Sequence, residues 1–124
     1  RETLIARTLQ RYQGAGLQHA AFATGDIFSA VRAARELGQA LLPVPENYYQ
    51  DLAARFGLDQ AFLHQLETHH VLYDRDEQGG ELLHAYTRPV ADGRFFFELL
   101  ERRGGYAQYG EANAGVRLTM QQQP

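Results

Sequence analysis

The chain has 124 residues, 44% of them hydrophobic and 22% charged, with Lys+Arg 12 against Asp+Glu 15 and a formal net charge of -3. That balance excludes an intrinsically disordered chain, and the lack of a basic excess argues against a nucleic-acid partner. With Cys 0 there is no disulfide and no thiolate, so any metal must be held by His, Asp or Glu. No apolar run approaches the roughly 20 residues that span a bilayer, and no signal-peptide pattern is present; a cytoplasmic protein without a membrane partner is expected. The chain opens on Arg1 rather than Met, which suggests a segment of a longer protein.

Taken in order, Leu17 to Ala23 is a short apolar run after Gly14 and Gly16 and reads as a buried strand. Asp26 is placed to cap a helix in which Ile27, Val31, Ala34 and Leu37 share one face, and Gly38 stands where a left-handed C-terminal cap belongs. Ala40-Leu41-Leu42 reads as a short strand closed by Pro43 and Pro45. Residues 46–56 form a helix with Tyr49, Leu52 and Phe56 on one face, and a second helical stretch starts after Asp59 with Phe62, Leu63 and Leu66.

The last third changes period. Val71 to Asp74 and Glu81 to Thr87 flank the polar turn Asp76-Glu77-Gln78-Gly79-Gly80 and form a hairpin, with Arg75 expected in an ion-pair network with Asp74 and Asp76. After the Asp92-Gly93 turn, Arg94 to Leu100 is a strong final strand. The order is β-α-β, a helical insert, then β-β: an α+β domain with its core over residues 13–113 and a loose polar tail over 114–124.

Two polar residues resist a surface reading. Glu98 sits inside Phe-Phe-Phe-Glu-Leu-Leu, where apolar neighbours on both faces imply a strand covered on both sides, and an unpaired carboxylate there costs several kcal/mol. His19 lies in the middle of the first buried strand. Imidazole and carboxylate converging from two strands suit divalent iron, manganese or zinc, although two ligands are too few for tight binding. The alternative for Glu98 is an ion pair with Arg88 or Arg94. His64, His69 and His70 read as surface residues, whereas His84 on the hairpin strand shares the direction of Tyr86 and is a candidate pocket residue. No Gly-x-Gly-x-x-Gly, P-loop, Gly-x-Ser-x-Gly or His-Glu-x-x-His pattern is present.

These residues also carry a resemblance. Gly14-Ala15-Gly16-Leu17-Gln18-His19 with Asp26-Ile27, Pro45 through Tyr48-Tyr49, Leu72 through Asp76, Leu82 through Pro89, Phe96-Phe97-Glu98 with Arg102 and Gly104, and finally Tyr109-Gly110 and Asn113 resemble the C-terminal half of 4-hydroxyphenylpyruvate dioxygenases, in register over about residues 11–113. That family has the vicinal oxygen chelate (glyoxalase/bleomycin resistance/dioxygenase) fold, in which βαβββ modules pair into a cup around a metal. The resemblance implies a single βαβββ module with a helical insert. It implies His19 and Glu98 as metal ligands, with a further His in a preceding module. It implies Gln18, His84, Tyr86, Phe96, Tyr109 and Asn113 as substrate-pocket positions.

The departures are specific. His84 stands where the family usually has Gln, Tyr86 where it has Phe, Ala114 where a Phe closes over the aromatic substrate, and Arg94 in an altered loop. Those changes, with the ending Gly110 through Leu118, resemble more closely the dioxygenase-like region that follows an isomerase-like barrel in bacterial 3-dehydroshikimate dehydratases. The implied cofactor is a divalent metal, Fe(II) first, with Mg, Mn, Co or Zn as alternatives. The implied partners are a preceding N-terminal βαβββ module or a second copy (a homodimer), and a small 2-oxo acid or related aromatic-pathway substrate. A dioxygenase of tyrosine catabolism and a non-catalytic dimerisation module are the competing readings, and the isolated segment is expected to be inactive.

Overall fold

The computed structural model describes residues 9–11, 18–89 and 95–122. Strand β1 (Leu9–Arg11) lies antiparallel to β2 (Gln18–Ala23), which runs parallel to the long strand β5 (Phe95–Arg103). On the other side of β5 comes β4 (Glu81–Tyr86), antiparallel to it, and then its hairpin partner β3 (Leu72–Arg75). The sheet order is therefore β1-β2-β5-β4-β3, which makes β5 the central strand. The apolar run around Glu98 thus lies on the strand with two others on each side, and Phe96, Glu98 and Leu100 on it are buried.

One face is covered by helices. Strand β2 leads into α1 (Ile27–Glu36), whose Ile27 and Val31 are fully buried. Asp26 accepts from the backbone N–H groups of Phe28 and Ser29, as a capping residue should. Glu101 Oε1, from β5, accepts the Ile27 N–H at 2.9 Å, so a buried acid of the sheet completes the cap. Gly38 does adopt the left-handed conformation after the helix, with φ 84°. The insert forms α2 (Glu46–Phe56) and α3 (Gln60–Thr68), the latter capped by Asp59. Phe56 and Phe62 from these helices meet the Tyr73 ring edge-on at centroid distances of 5.4 and 5.7 Å.

Several expectations are corrected. The strand expected at Ala40–Leu42 reduces to a single bridge between Leu41 and Thr87. After a 3-10 turn (Glu111–Asn113), the segment expected as a loose tail instead forms helix α4 (Ala114–Gln121), because Val116 and Met120 recur at helical spacing and Met120 packs into the core. Arg75 makes no ion pair with its acidic neighbours: its Nε donates to the Tyr73 hydroxyl and its guanidinium covers the Phe56 and Tyr73 rings. Asp74 turns inward and accepts from Tyr106 Oη at 2.5 Å. His69 is buried, bonding through Nδ1 to the Gln65 carbonyl, and half-buried His70 accepts the Val44 N–H; only His64 is the surface residue expected.

Candidate functional site

Side chains alternate across a strand, so the sheet face away from α1 receives His19, Ala21 and Ala23 from β2, Phe96, Glu98, Leu100 and Arg102 from β5, and Leu82, His84 and Tyr86 from β4. A cleft of about 400 Å³ opens on this face. Its floor includes His19, Ala21, Leu82, Tyr86, Glu98, Leu100 and Arg102. After β5 the chain returns across the face, and Tyr109, Gly110, Glu111, Ala114 and Arg117 form the opposite wall.

Glu98, only 8% exposed, is the polar centre of the floor. Its Oε1 lies 3.3 Å from His19 Nε2 and its Oε2 lies 3.2 Å from His84 Nδ1. Burial raises the affinity of this carboxyl for a proton, but the hydrogen bonds with His19 and then His84 outweigh it and hold its pKa well below the ordinary carboxylate value. The acid is therefore ionised at neutral pH. Phe96 stacks flat on His19, with centroids 5.0 Å apart and planes within 9°, which fixes the plane of that imidazole. Behind His84, its Nε2 lies 3.0 Å from Asn113 Nδ2; Asn113 Nδ2 also donates to the Tyr73 carbonyl, and Asn113 Oδ1 lies 3.0 Å from Tyr48 Oη.

The donor chemistry of His19 and Glu98 fits a divalent cation. Metal–ligand bonds of about 2.1 Å at right angles put neighbouring donors about 3 Å apart, close to the observed 3.3 Å. Among the described residues no group of three or more His, Asp or Glu side chains is arranged to hold a metal ion, so this pair offers a partial ligand set.

The structure sorts the residues expected around the pocket. Tyr86 and Tyr109 line the cleft. Phe96, His84 and Asn113 are buried behind its wall, supporting the polar centre rather than lining the opening. Gln18 opens β2 opposite Phe95, and its side chain lies outside the described part of the structure. Among the described residues Glu98 pairs with two histidines; of the Arg partners in the alternative reading, Arg88 is exposed beyond β4 and Arg94 lies outside the described residues. Arg102, Arg117 and Glu111 also line the cleft without having been singled out as pocket residues. The strand alternation Glu98, Leu100, Arg102 could have revealed the first; Arg117 belongs to the segment read as a tail, and Glu111 to the turn just before it.

No protein-family model matches the chain. The 3-dehydroshikimate dehydratase of Pseudomonas aeruginosa is 58% identical over 118 residues, covering 95% of this chain and 18% of the relative. A 4-hydroxyphenylpyruvate dioxygenase of Legionella pneumophila is 35% identical over 111 residues, covering 88% of this chain and 31% of the relative. Among solved structures, a fusion protein of a xylose isomerase-like TIM barrel with a 4-hydroxyphenylpyruvate dioxygenase superposes with a TM-score of 0.82 and 53% identity, over 98% of this chain and 19% of that one.

The chain is a dioxygenase-like module of the vicinal oxygen chelate fold. The module spans less than a fifth of the dehydratase and less than a third of the dioxygenase it resembles. Among the module's described residues, no helix is long and apolar enough to cross a membrane.

Proposed function

We propose that the module is the C-terminal, metal-ligand-bearing part of a bacterial 3-dehydroshikimate dehydratase, with His19 and Glu98 contributing two ligands to a divalent cation. The observation that carries this reading is the 3.3 Å approach of His19 Nε2 to Glu98 Oε1 on the floor of the cleft. Identity of 58% to a dehydratase, against 35% to a dioxygenase, supports the choice of parent. Imidazole nitrogen with carboxylate oxygen suits Fe(II) first, with Mn, Co, Zn or Mg as alternatives. A cation in this position would supply Lewis-acid polarisation of a substrate oxygen. The missing donors come from a preceding N-terminal βαβββ module, or from a second copy of the chain.

This chain's own residues do the rest. Glu98 stays ionised, and Phe96 holds the His19 ring in the plane that meets it. Arg102 and Arg117 place positive charge on the cleft and complement the carboxylate of a 2-oxo acid or a related acid of aromatic catabolism. Ala114 lines the cleft where the resemblance would place a Phe closing over an aromatic ring, which disfavours the alternative of a tyrosine-pathway dioxygenase.

The test is metal content of the full-length protein after reconstitution with Fe(II) and removal of unbound ion. Wild type is expected to retain about one equivalent and Glu98→Ala well under half of it. Equal retention by the two proteins overturns the reading. Dehydratase turnover after removal of this segment then separates an accessory role, in which turnover persists, from an essential one.

A further inference from the structure

The contacts behind Glu98 fix the positions of protons. The two ends of the Asn113 amide have nearly the same shape, but the atom 3.1 Å from the Tyr73 carbonyl oxygen must donate, since a carbonyl has no proton to give. That atom is Nδ2, which leaves Oδ1 facing Tyr48 Oη. The second proton of Nδ2 lies toward His84 Nε2 at 3.0 Å, so Nε2 accepts and carries no proton. A neutral imidazole has one N–H, which is then on Nδ1, and it donates to Glu98 Oε2 across 3.2 Å. The ring has little room to turn: His84 is fully buried, and a Cβ placed on Gly110 would come within 3.1 Å of its Cε1.

We propose that Asn113 and His84 are positioning residues for Glu98: the relay holds His84 as the Nδ1–H tautomer, engages Oε2, and leaves Oε1, beside His19 Nε2, as the one carboxylate oxygen presented to a cation. Glu98 is thereby a single-oxygen ligand. The inference rests on the metal reading above and says how that site is tuned. Outer partners of this kind orient a ligand and set its affinity. The Gln that the resemblance places at the position of His84 also has an N–H to give, so it is the conservative replacement.

The experiment is a Co(II) titration of the full-length protein followed by visible absorption, whose midpoint reads affinity and whose band intensity reads coordination number. His84→Leu removes the donor to Oε2, and the near-isosteric Asn113→Asp removes the donor to Nε2 with little change of shape, guarding against a variant that fails to fold. Each is expected to weaken Co(II) binding about 10-fold or more and to alter band intensity as Oε2 becomes available, whereas His84→Gln stays within about threefold with unchanged bands. If His84→Leu and Asn113→Asp bind as wild type does while Glu98→Gln loses Co(II), the relay is wrong and the metal reading stands. If His84→Gln loses as much as His84→Leu, the ring only fills space and the relay is wrong. If Glu98→Gln also binds as wild type does, both readings fall.

Discussion

Glu98 reaches His19 on the diagonal of a parallel strand pair: Phe96, not Glu98, stands opposite His19 in the register, yet Glu98 Oε1 comes within 3.3 Å of His19 Nε2. The in-register partner and the diagonal partner have different tasks. Phe96 sets the plane of the imidazole by stacking, and Glu98 meets its edge.

Phe96→Leu keeps an apolar side chain but removes the stacking surface. It is expected to cost about 1–2 kcal/mol in urea denaturation and to weaken cation binding as His19 gains freedom to rotate. Unchanged stability with unchanged affinity would show that the stack orients nothing.

Glu101 links the far face of β5 to the start of α1. Its Oε1 accepts the Ile27 N–H and its Oε2 accepts from Arg103 Nε at 2.7 Å. Glu101→Leu leaves a buried backbone N–H without its acceptor, so a loss of about 1–3 kcal/mol is expected in chemical denaturation. Amide exchange at Ile27 and Phe28 should accelerate more than in α3, which has its own cap at Asp59.

His70 supplies a pH-dependent contribution. Its backbone has φ 56°, and its Nδ1 accepts the Val44 N–H at 3.2 Å. Burial, then the charge of Arg35 on α1, hold its pKa below the ordinary histidine value; Glu67 on α3 acts in the opposite sense and the adjacent His69 in the same sense. The folded state thus favours the neutral ring and the unfolded chain binds the proton more readily. The resulting stability is complete above the unfolded pKa near 6.5 and declines as pH falls from there through the lowered folded value. His70→Asn keeps an acceptor at the same branch point and tolerates positive φ, but does not titrate. Wild type should lose stability relative to this variant between about pH 7 and pH 5; parallel stability curves would refute the assignment.

Gly110 combines φ 76° with a crowded setting: an added Cβ would stand 2.9 Å from Leu82 Cδ2 and 3.1 Å from His84 Cε1. Gly110→Ala is expected to cost about 1–3 kcal/mol through backbone strain and overpacking. Because the clash falls on His84, Co(II) affinity should drop as well, and retention of both properties would show that the wall yields.

The sequence showed most clearly what depends on nearby residues. Asp26 with the Ile27 and Val31 spacing marks α1, and the polar turn between Tyr73 and Leu82 marks the hairpin, because caps, periodicity and turns act over a few positions. The misplacement of Glu98 and His19 was also visible, since each interrupts an apolar run. Their pairings were not: His84 and Asn113 were legible as pocket candidates, but not as contacts of one another or of Glu98. His84 and Asn113 are separated by 29 residues and Tyr48 and Asn113 by 65, and they meet only because β4, α2 and the turn after β5 converge. Helix α4 was hidden because the run of glutamines after Met120 outweighed the spacing of Val116 and Met120. Arg75 misled because flanking acids suggest ion pairs, whereas strand alternation turns Asp74 inward and leaves the guanidinium over Phe56 and Tyr73.

The most direct measurement is anomalous scattering from crystals of the full-length protein soaked in Mn(II). The account predicts a single strong peak in the cleft, within about 2.3 Å of both His19 Nε2 and Glu98 Oε1, that disappears in Glu98→Ala. An empty cleft in the wild-type protein at saturating Mn(II), or a peak that persists in Glu98→Ala, would contradict it.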